Sequence, residues 1–482
     1  MEQHGSSSTL SMWKQRIAYT FSGFGQAAFY NALSTYFVVY VTTSLFAQID
    51  TKLAAKLIGI ITGLIVIIRI AEIFIDPLLG NLIDNTSTSW GRFRPWQLIG
   101  GVVSAVLLLM VYTGLFGLVN INQIWFIVLF VITFIVLDIF YSLRDISFWG
   151  MIPALSEDSH ERALYTSLGS FGASLGFNGL TIIVVPVVSY FSFIFTGKHA
   201  QQQSGWTVLA IIVMLLAIVS AMSGAFGTRE RESALRVKAQ ENGNPIQAFK
   251  AIAKNDQLLW MALSYVCYAI ANTATVGVLF YLFKFVLNKE AAFSIAGVIP
   301  VITGFIVTPL YPVLNKYISR RYLFIIGMVS MVIAYGLFAF GSASLAAVIT
   351  GLILFYLPST LISMTAILTM TDSVEYGQLK TGRRNEAVTL SVRPMLDKIA
   401  GALSNGIVGF IAVAAGMVGS ATATDMTAAN IHTFKIFAFY TPLALIIVSL
   451  IVFIVTVKID EKEHERIVAQ LEHQLDAINR RV

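Results

Sequence analysis

Cysteine is nearly absent: Cys267 is the single one among 482 residues. That excludes an intrachain disulfide, a CxxC redox pair and any cysteine-based metal cluster. Charge is scarce as well, since Lys, Arg, Asp and Glu make up 12% of the chain, whereas a soluble domain carries about 25%. There is no Walker-type glycine loop, no HExxH pair and no carboxylate pair in a soluble domain, so ATP hydrolysis within the chain is excluded and nothing points to an enzyme. Residues Met1 to Leu10 are polar and Ser-rich, and no cleavage site follows an early apolar run, so no signal peptide is expected. The formal net charge of +6 could suggest nucleic acid, but the basic residues are scattered in short loops rather than gathered in a stripe. They report membrane topology instead.

What remains is hydrocarbon: 56% of the residues are apolar, in runs of about 20 residues, the length that spans a bilayer. Twelve such runs are counted, which predicts an all-α membrane protein of twelve transmembrane helices in two six-helix halves. The first six run from Ile17 to Leu45, Leu57 to Ile83, Leu98 to Val119, Ile124 to Ile152, Leu168 to Phe195 and Trp206 to Phe226. The second six run from Leu258 to Leu287, Ala292 to Leu314, Leu323 to Phe340, Leu345 to Met370, Ala387 to Val418 and Phe434 to Val457. The predicted domains are an N-terminal half over 1–227, a charged linker over 228–256, a C-terminal half over 257–457 and a tail helix over 458–482.

With both termini cytoplasmic, the inner loops hold Lys14, Arg16, Arg92, Arg94, Arg162, the linker cations, Lys316, Arg320, Arg321, Lys380, Arg383 and Arg384. The outer loops hold only Lys52, Lys56, Lys198 and Lys289, and that asymmetry sets the orientation by the positive-inside rule. Short motifs repeat between the halves. Asp145-Ile-Ser-Phe-Trp149-Gly150 is expected after helix 4 and Asp372-Ser-Val-Glu-Tyr376-Gly377 after helix 10, while the basic loop Trp90 to Trp96 has a counterpart in Ile318 to Tyr322. Such halves mark a major-facilitator transporter. The tail places Ile467, Leu471, Leu475 and Ile478 at helical spacing, as a surface or membrane-lying helix would.

Ionisable residues inside the apolar runs are the functional candidates, because each costs about 2.5 to 3.5 kcal/mol or more at membrane depth. In the second run Arg69, Glu72 and Asp76 follow the spacing i, i+3, i+7 and share a face. An internal salt bridge accounts for one acid; the surplus carboxylate points to a coupling ion or proton. Helix 4 carries Asp138, Ser142, Arg144, Asp145 and Trp149, with Asp145 and Trp149 on one face. A carboxylate beside an indole suits a sugar, whose hydroxyls need acceptors and whose ring needs contact area; a membrane-interface tryptophan is the alternative. Helix 11 adds Arg393, Asp397 and Lys398, and Lys398 needs a carboxylate from another helix because Asp397 points about 100° away.

Six segments together resemble the glycoside-pentoside-hexuronide cation symporters of the major facilitator superfamily, in particular the lactose permease and melibiose permease branches. They are Leu33-Ser-Thr-Tyr-Phe37, Arg69-Ile-Ala-Glu-Ile-Phe-Ile-Asp-Pro77, Gly91-Arg-Phe-Arg-Pro-Trp96, Asp145-Ile-Ser-Phe-Trp149, Asp372-Ser-Val-Glu-Tyr-Gly377 and Leu390-Ser-Val-Arg-Pro394. The resemblance implies a cation site at Glu72, Asp76 and Ser142 with Lys398 nearby, and a sugar site at Asp145 and Trp149. Gln26 is included as a substrate-binding position, and Arg69, Arg144, Arg393 and Glu386 as interdomain or gating residues. It also implies a sugar as partner, a lipid bilayer as setting, no nucleic acid, no cofactor, and a proton or sodium as coupling ion.

The departures narrow these expectations. Gln26 and Ala27 stand where the melibiose branch has a Lys-Asp pair, Ser170 where a sugar-binding arginine is expected, and Arg383 where the lactose branch has a histidine. Galactosides such as lactose, melibiose or raffinose are therefore candidates rather than assignments. Ile75 replaces an asparagine of the sodium-using site, which favours a proton. With the chain stopping at Val482, the regulatory domain fused to some family members is expected to be missing. The expected activity is proton-coupled sugar symport by alternating access. Sodium coupling, sugar exchange at the same site, a membrane sugar sensor, and a lipid or drug carrier are the alternatives.

Overall fold

The computed structural model describes residues 3–84, 86, 88–156, 159–198, 201–230, 253–381, 392–419 and 421–479. In the first half the helices are α1 (Gln3–Asn31), α2 (Thr51–Asp84), α3 (Arg94–Tyr112), α4 (Gln123–Gly150), α5 (Ser159–Thr196) and α6 (Gln203–Gly227). The second half holds α7 (Asp256–Tyr281), α8 (Ile295–Tyr317), α9 (Arg320–Gly341), α10 (Leu345–Thr381), α11 (Val392–Ala414) and α12 (Ala428–Thr456), followed by α13 (Glu461–Asn479). This is the all-helical architecture that the twelve apolar runs predict. A bilayer cannot hydrogen-bond exposed backbone, so spanning segments close their own hydrogen bonds as helices.

Eleven helices among the described residues, α2 to α12, are long and apolar enough to cross a membrane. The remaining expected span, Ile17 to Leu45, is helical throughout but partly polar, and several of its polar groups hydrogen-bond to neighbouring helices. Gln26 Nε2 donates to Asp145 at 2.6 Å, and Asn31 Nδ2 donates to the Phe177 carbonyl at 2.5 Å and to Thr181 at 2.9 Å. Its first part, in α1, packs along α5 and α6. Gly172 and Gly176 of α5 make the close approach, because a Cβ there would stand 2.2 Å from the Thr20 carbonyl oxygen and 1.9 Å from that of Phe24. Small residues at such a crossing replace the hydrophobic drive that a membrane interior lacks.

By contacts the chain separates into two compact units. One comprises Met1–Gln240, Leu279–Val301 and Asn405–Asn430; the other comprises Glu241–Val278, Ile302–Ser404 and Ile431–Val482. The first unit thus takes in the end of α7, the start of α8 and the last part of α11. Thr42 and Tyr281 share a 2.5 Å hydrogen bond, the Gly419 amide donates to the Thr42 carbonyl at 2.6 Å, and Gly409 lies against Thr62. Both helix ends meeting at Thr42 and Tyr281 carry π-helical turns, Val41–Leu45 and Leu282–Val286.

Asp145 to Gly150 forms the last turns of α4, inside the run expected from Ile124 to Ile152, whereas Asp372 to Gly377 does not follow the expected end of its helix at Met370 but forms late turns of α10. Their charges are paired within the fold, which removes the reason for the helix to stop before them. The tail helix α13 packs on α10, with Ile467 buried and Glu461 bonded to Arg320. Most of the predicted linker, together with Arg383 and Glu386, lies outside the described residues.

Candidate functional site

The charged stripe of α2 meets α4 across a short gap. Arg69 Nη1 lies 3.2 Å from Glu72 Oε2, one turn along its own helix, and 2.9 Å from Asp138 Oδ1 on α4. The other Glu72 oxygen, Oε1, accepts a 2.7 Å hydrogen bond from Ser142 Oγ. Arg69, Glu72, Asp138 and Ser142 are only 5%, 8%, 2% and 1% exposed. One buried base, Arg69, thus lies within ion-pair distance of two buried acids, Glu72 and Asp138. Buried ionisable groups are costly at membrane depth, and their presence there points to function.

Aromatic rings close the site from α1. The Arg69 guanidinium stands over the Tyr30 ring at 5.7 Å, and Tyr30 stacks on Tyr141 of α4 at 5.5 Å. Between α2 and α4 lies a cavity of about 200 Å³ whose lining is mostly Ile, Leu and Ala side chains, Ile75 among them; its polar lining residues are Glu72, Asp138 and Ser142. Asp76, one turn beyond Glu72, is half-buried on the same helix.

One turn further along α4, Asp145 Oδ1 accepts a 2.6 Å hydrogen bond from Gln26 Nε2 of α1. Trp149, a turn later, keeps 39% of its surface exposed while its edge packs on Phe148 at 5.0 Å. Phe148 is held in turn by Tyr19, whose ring stacks on it at 4.4 Å and whose hydroxyl donates to the Phe148 carbonyl. A fixed carboxylate and a half-open indole therefore lie on consecutive turns of a rigid helix. Arg144 points elsewhere: it is fully buried, donates to Ser220 Oγ at 2.8 Å and packs on Gly101 of α3. Ser170 is exposed on α5.

In the second unit, Asp397 accepts a 2.7 Å hydrogen bond from the Tyr265 hydroxyl and pairs loosely with Arg393 at 3.7 Å. Lys398 is half-buried on the same helix, α11. Glu386 lies outside the described residues.

Asp138 is the residue that sequence reasoning left without a role. A signal was present, because Asp138, Ser142 and Asp145 step along α4 at i, i+4 and i+7 and so share a face.

The model of the family described as MFS/sugar transport protein matches residues 18–461. The chain belongs to that family. It is 54% identical over 463 residues to the lactose permease of Leuconostoc lactis, covering 96% of this chain and 72% of the relative. To the raffinose carrier protein of Pediococcus pentosaceus it is 38% identical over 457 residues, covering 95% and 71%. Among solved structures, the xylose transporter XylE from E. coli in a partially occluded inward open conformation superposes with a TM-score of 0.60 at 17% identity, covering 93% of this chain and 99% of that one. That likeness shows the fold: the major facilitator architecture that the repeated halves suggest. The resemblance to the glycoside-pentoside-hexuronide symporters stands, and this multi-span membrane protein is a sugar transporter.

Proposed function

We propose that this sugar transporter takes up a galactoside together with a proton, across the cell membrane and with both termini in the cytoplasm. The observation that carries the reading is the buried group Arg69, Glu72 and Asp138, in which acids outnumber bases. A transporter that binds sugar alone has no need of buried carboxylates clustered at this depth, whereas a symporter needs a group that loads and releases a proton. Glu72 and Asp76 are the coupling acids in this reading, Ser142 orients Glu72, and Asp145, Gln26 and Trp149 hold the sugar. Lys398 and Arg393 on α11 are assigned to the second half's share of the cycle.

A proton is favoured over sodium because hard cations are bound by several converging oxygens, and Ile75 offers hydrocarbon on the cavity wall beside Glu72. The names of the relatives, lactose permease and raffinose carrier protein, support galactosides as first candidates. Transport proceeds by alternating access of the halves 1–227 and 257–457, joined by the linker 228–256.

Uptake in proteoliposomes tests this directly, with lactose, raffinose, melibiose, a glucoside and a pentoside offered under separately imposed proton and sodium gradients. Accumulation of a galactoside on the proton gradient is expected. Accumulation on sodium alone reassigns the ion, exchange without accumulation makes the protein an exchanger, and binding without counterflow makes it a sensor.

A further inference from the structure

The first span ends in a short polar stretch that neither the charged stripe nor the sugar site employs. Val41-Thr-Thr-Ser-Leu45 forms a π-helical turn, and all five of its residues are buried. Such turns are rare and recur at functional sites. Within it, Thr42 holds two distant parts of the chain at once. Its hydroxyl donates back to the Val38 and Val39 carbonyls at 2.9 and 3.0 Å, so in the 2.5 Å hydrogen bond with Tyr281 the tyrosine hydroxyl is the donor. Its own carbonyl accepts the Gly419 amide at 2.6 Å. Tyr281 is the last residue of α7 before the π-helical turn Leu282–Val286, and Gly419, at a φ of 63°, lies beyond the end of α11.

These partners belong to the segments Leu279–Val301 and Asn405–Asn430, which by sequence are parts of the second half but join the first compact unit. Further contacts seat the former segment: Ser294 Oγ donates to the Ile182 carbonyl at 2.6 Å, Gln201 Nε2 donates to Glu290 Oε1 at 2.7 Å, and Phe293 meets the Tyr36 ring edge-on at 6.2 Å. We propose that Thr42 is the keystone of a gate at the end of the first span farthest from the N-terminus. By its hydroxyl and its carbonyl it holds both segments that close this end of the sugar path, and releasing them is a step of transport. The chemistry suits parting, because the Tyr281 hydroxyl, the Gly419 amide and the two Thr42 oxygens can each be satisfied by water once separated. The π-helical turns lie at the ends of their helices, where changes of backbone angle are most readily absorbed. The inference rests on the alternating-access reading above and does not depend on which ion is coupled.

The test reads the gate by spin-label distances in proteoliposomes. Nitroxides are attached at Lys198→Cys and Lys289→Cys, exposed positions after α5 and α7, in a Cys267→Ser background. The gate variants are Tyr281→Phe, which drops the hydroxyl and keeps the ring stacked on Phe285, Thr42→Val, which drops the hydroxyl and keeps the shape, and Thr42→Ser, which keeps the hydroxyl. The parent is expected to show a closed and an open population whose ratio moves on adding lactose, raffinose or melibiose, whichever it transports. Tyr281→Phe and Thr42→Val are each expected to lower the closed-to-open ratio about fivefold, the worth of one net hydrogen bond. Thr42→Ser is expected to hold the parental ratio. Counterflow of the same sugar is expected to persist in all three, since Asp145 and Trp149 are untouched. Parental ratios in both Tyr281→Phe and Thr42→Val overturn the proposal, including the case in which folded protein and counterflow fall together while the ratio in the folded fraction stays put, which marks a packing residue. A parent chain with one distance population that sugar does not move overturns alternating access itself, and is told apart because it appears before any gate substitution.

Discussion

The two units place their buried charge differently. In the first, one base, Arg69, meets two acids, Glu72 and Asp138, within the spans. In the second, charges pair at helix ends: the buried Arg320, at the first turn of α9, binds Asp372 at 2.5 Å and Glu461 at 3.1 Å, and the exposed Lys380 pairs with Asp256 at the start of α7. Charge at a helix end can reach water and the helix dipole, and it stabilises the fold. Charge in the middle of a span does so poorly, and its persistence there calls for a function.

The units nevertheless share one device. After the last helix of the first half, Glu230 turns back to accept the backbone N–H groups of Arg92, Phe93 and Arg94 at 2.8, 2.9 and 2.9 Å, capping α3. After the last helix of the second half, Glu461 accepts the Arg320 amide at 2.8 Å and caps α9. Each half therefore closes the otherwise unsatisfied donors at the start of its third helix with a glutamate that follows its sixth. The repeat is structural at these ends, whereas the cluster of Arg69, Glu72 and Asp138 belongs to the first half.

Substitutions can break or sharpen this contrast. The largest effect is expected from Asp76→Asn, which should abolish uphill accumulation while leaving the protein folded; unchanged proton-driven uptake in vesicles would remove Asp76 from the coupling site. A smaller effect is expected at the sugar contact, where Trp149→Ala should weaken galactoside binding about tenfold, or about 1.4 kcal/mol, measured by titration. Parental affinity would return Trp149 to the role of an interface anchor. The smallest effects belong to the shared caps. Glu230→Gln and Glu461→Gln should each cost about 1 kcal/mol of stability in thermal unfolding while sparing the coupling of sugar to proton. Loss of coupling in either would show that the end clusters are more than structural.

Much of this was legible in one dimension. Apolar run length and the demand for backbone hydrogen bonds in lipid dictate the helices, and the helical period places Arg69, Glu72 and Asp76 on one face before any fold is known. The first span, counted among the twelve runs, is the instructive case, since the partners of its polar residues on α4 and α5 are seen only in the fold. The same period continues through Asp145 and Asp372, but nothing local marks whether a helix ends before such charges; Asp372 stays helical because Arg320 waits for it.

Pairings between helices were not legible. Glu72 and Ser142 are 70 residues apart and Gln26 and Asp145 are 119 apart, and which faces meet depends on how glycines such as Gly172 and Gly176 let particular helices approach. By itself the sequence determined that this chain spans a membrane many times and carries a charged stripe there. Only the tertiary structure decided that Asp138 stands opposite Arg69, because a charge is compensated by what lies within a few ångströms of it, whatever its distance along the chain.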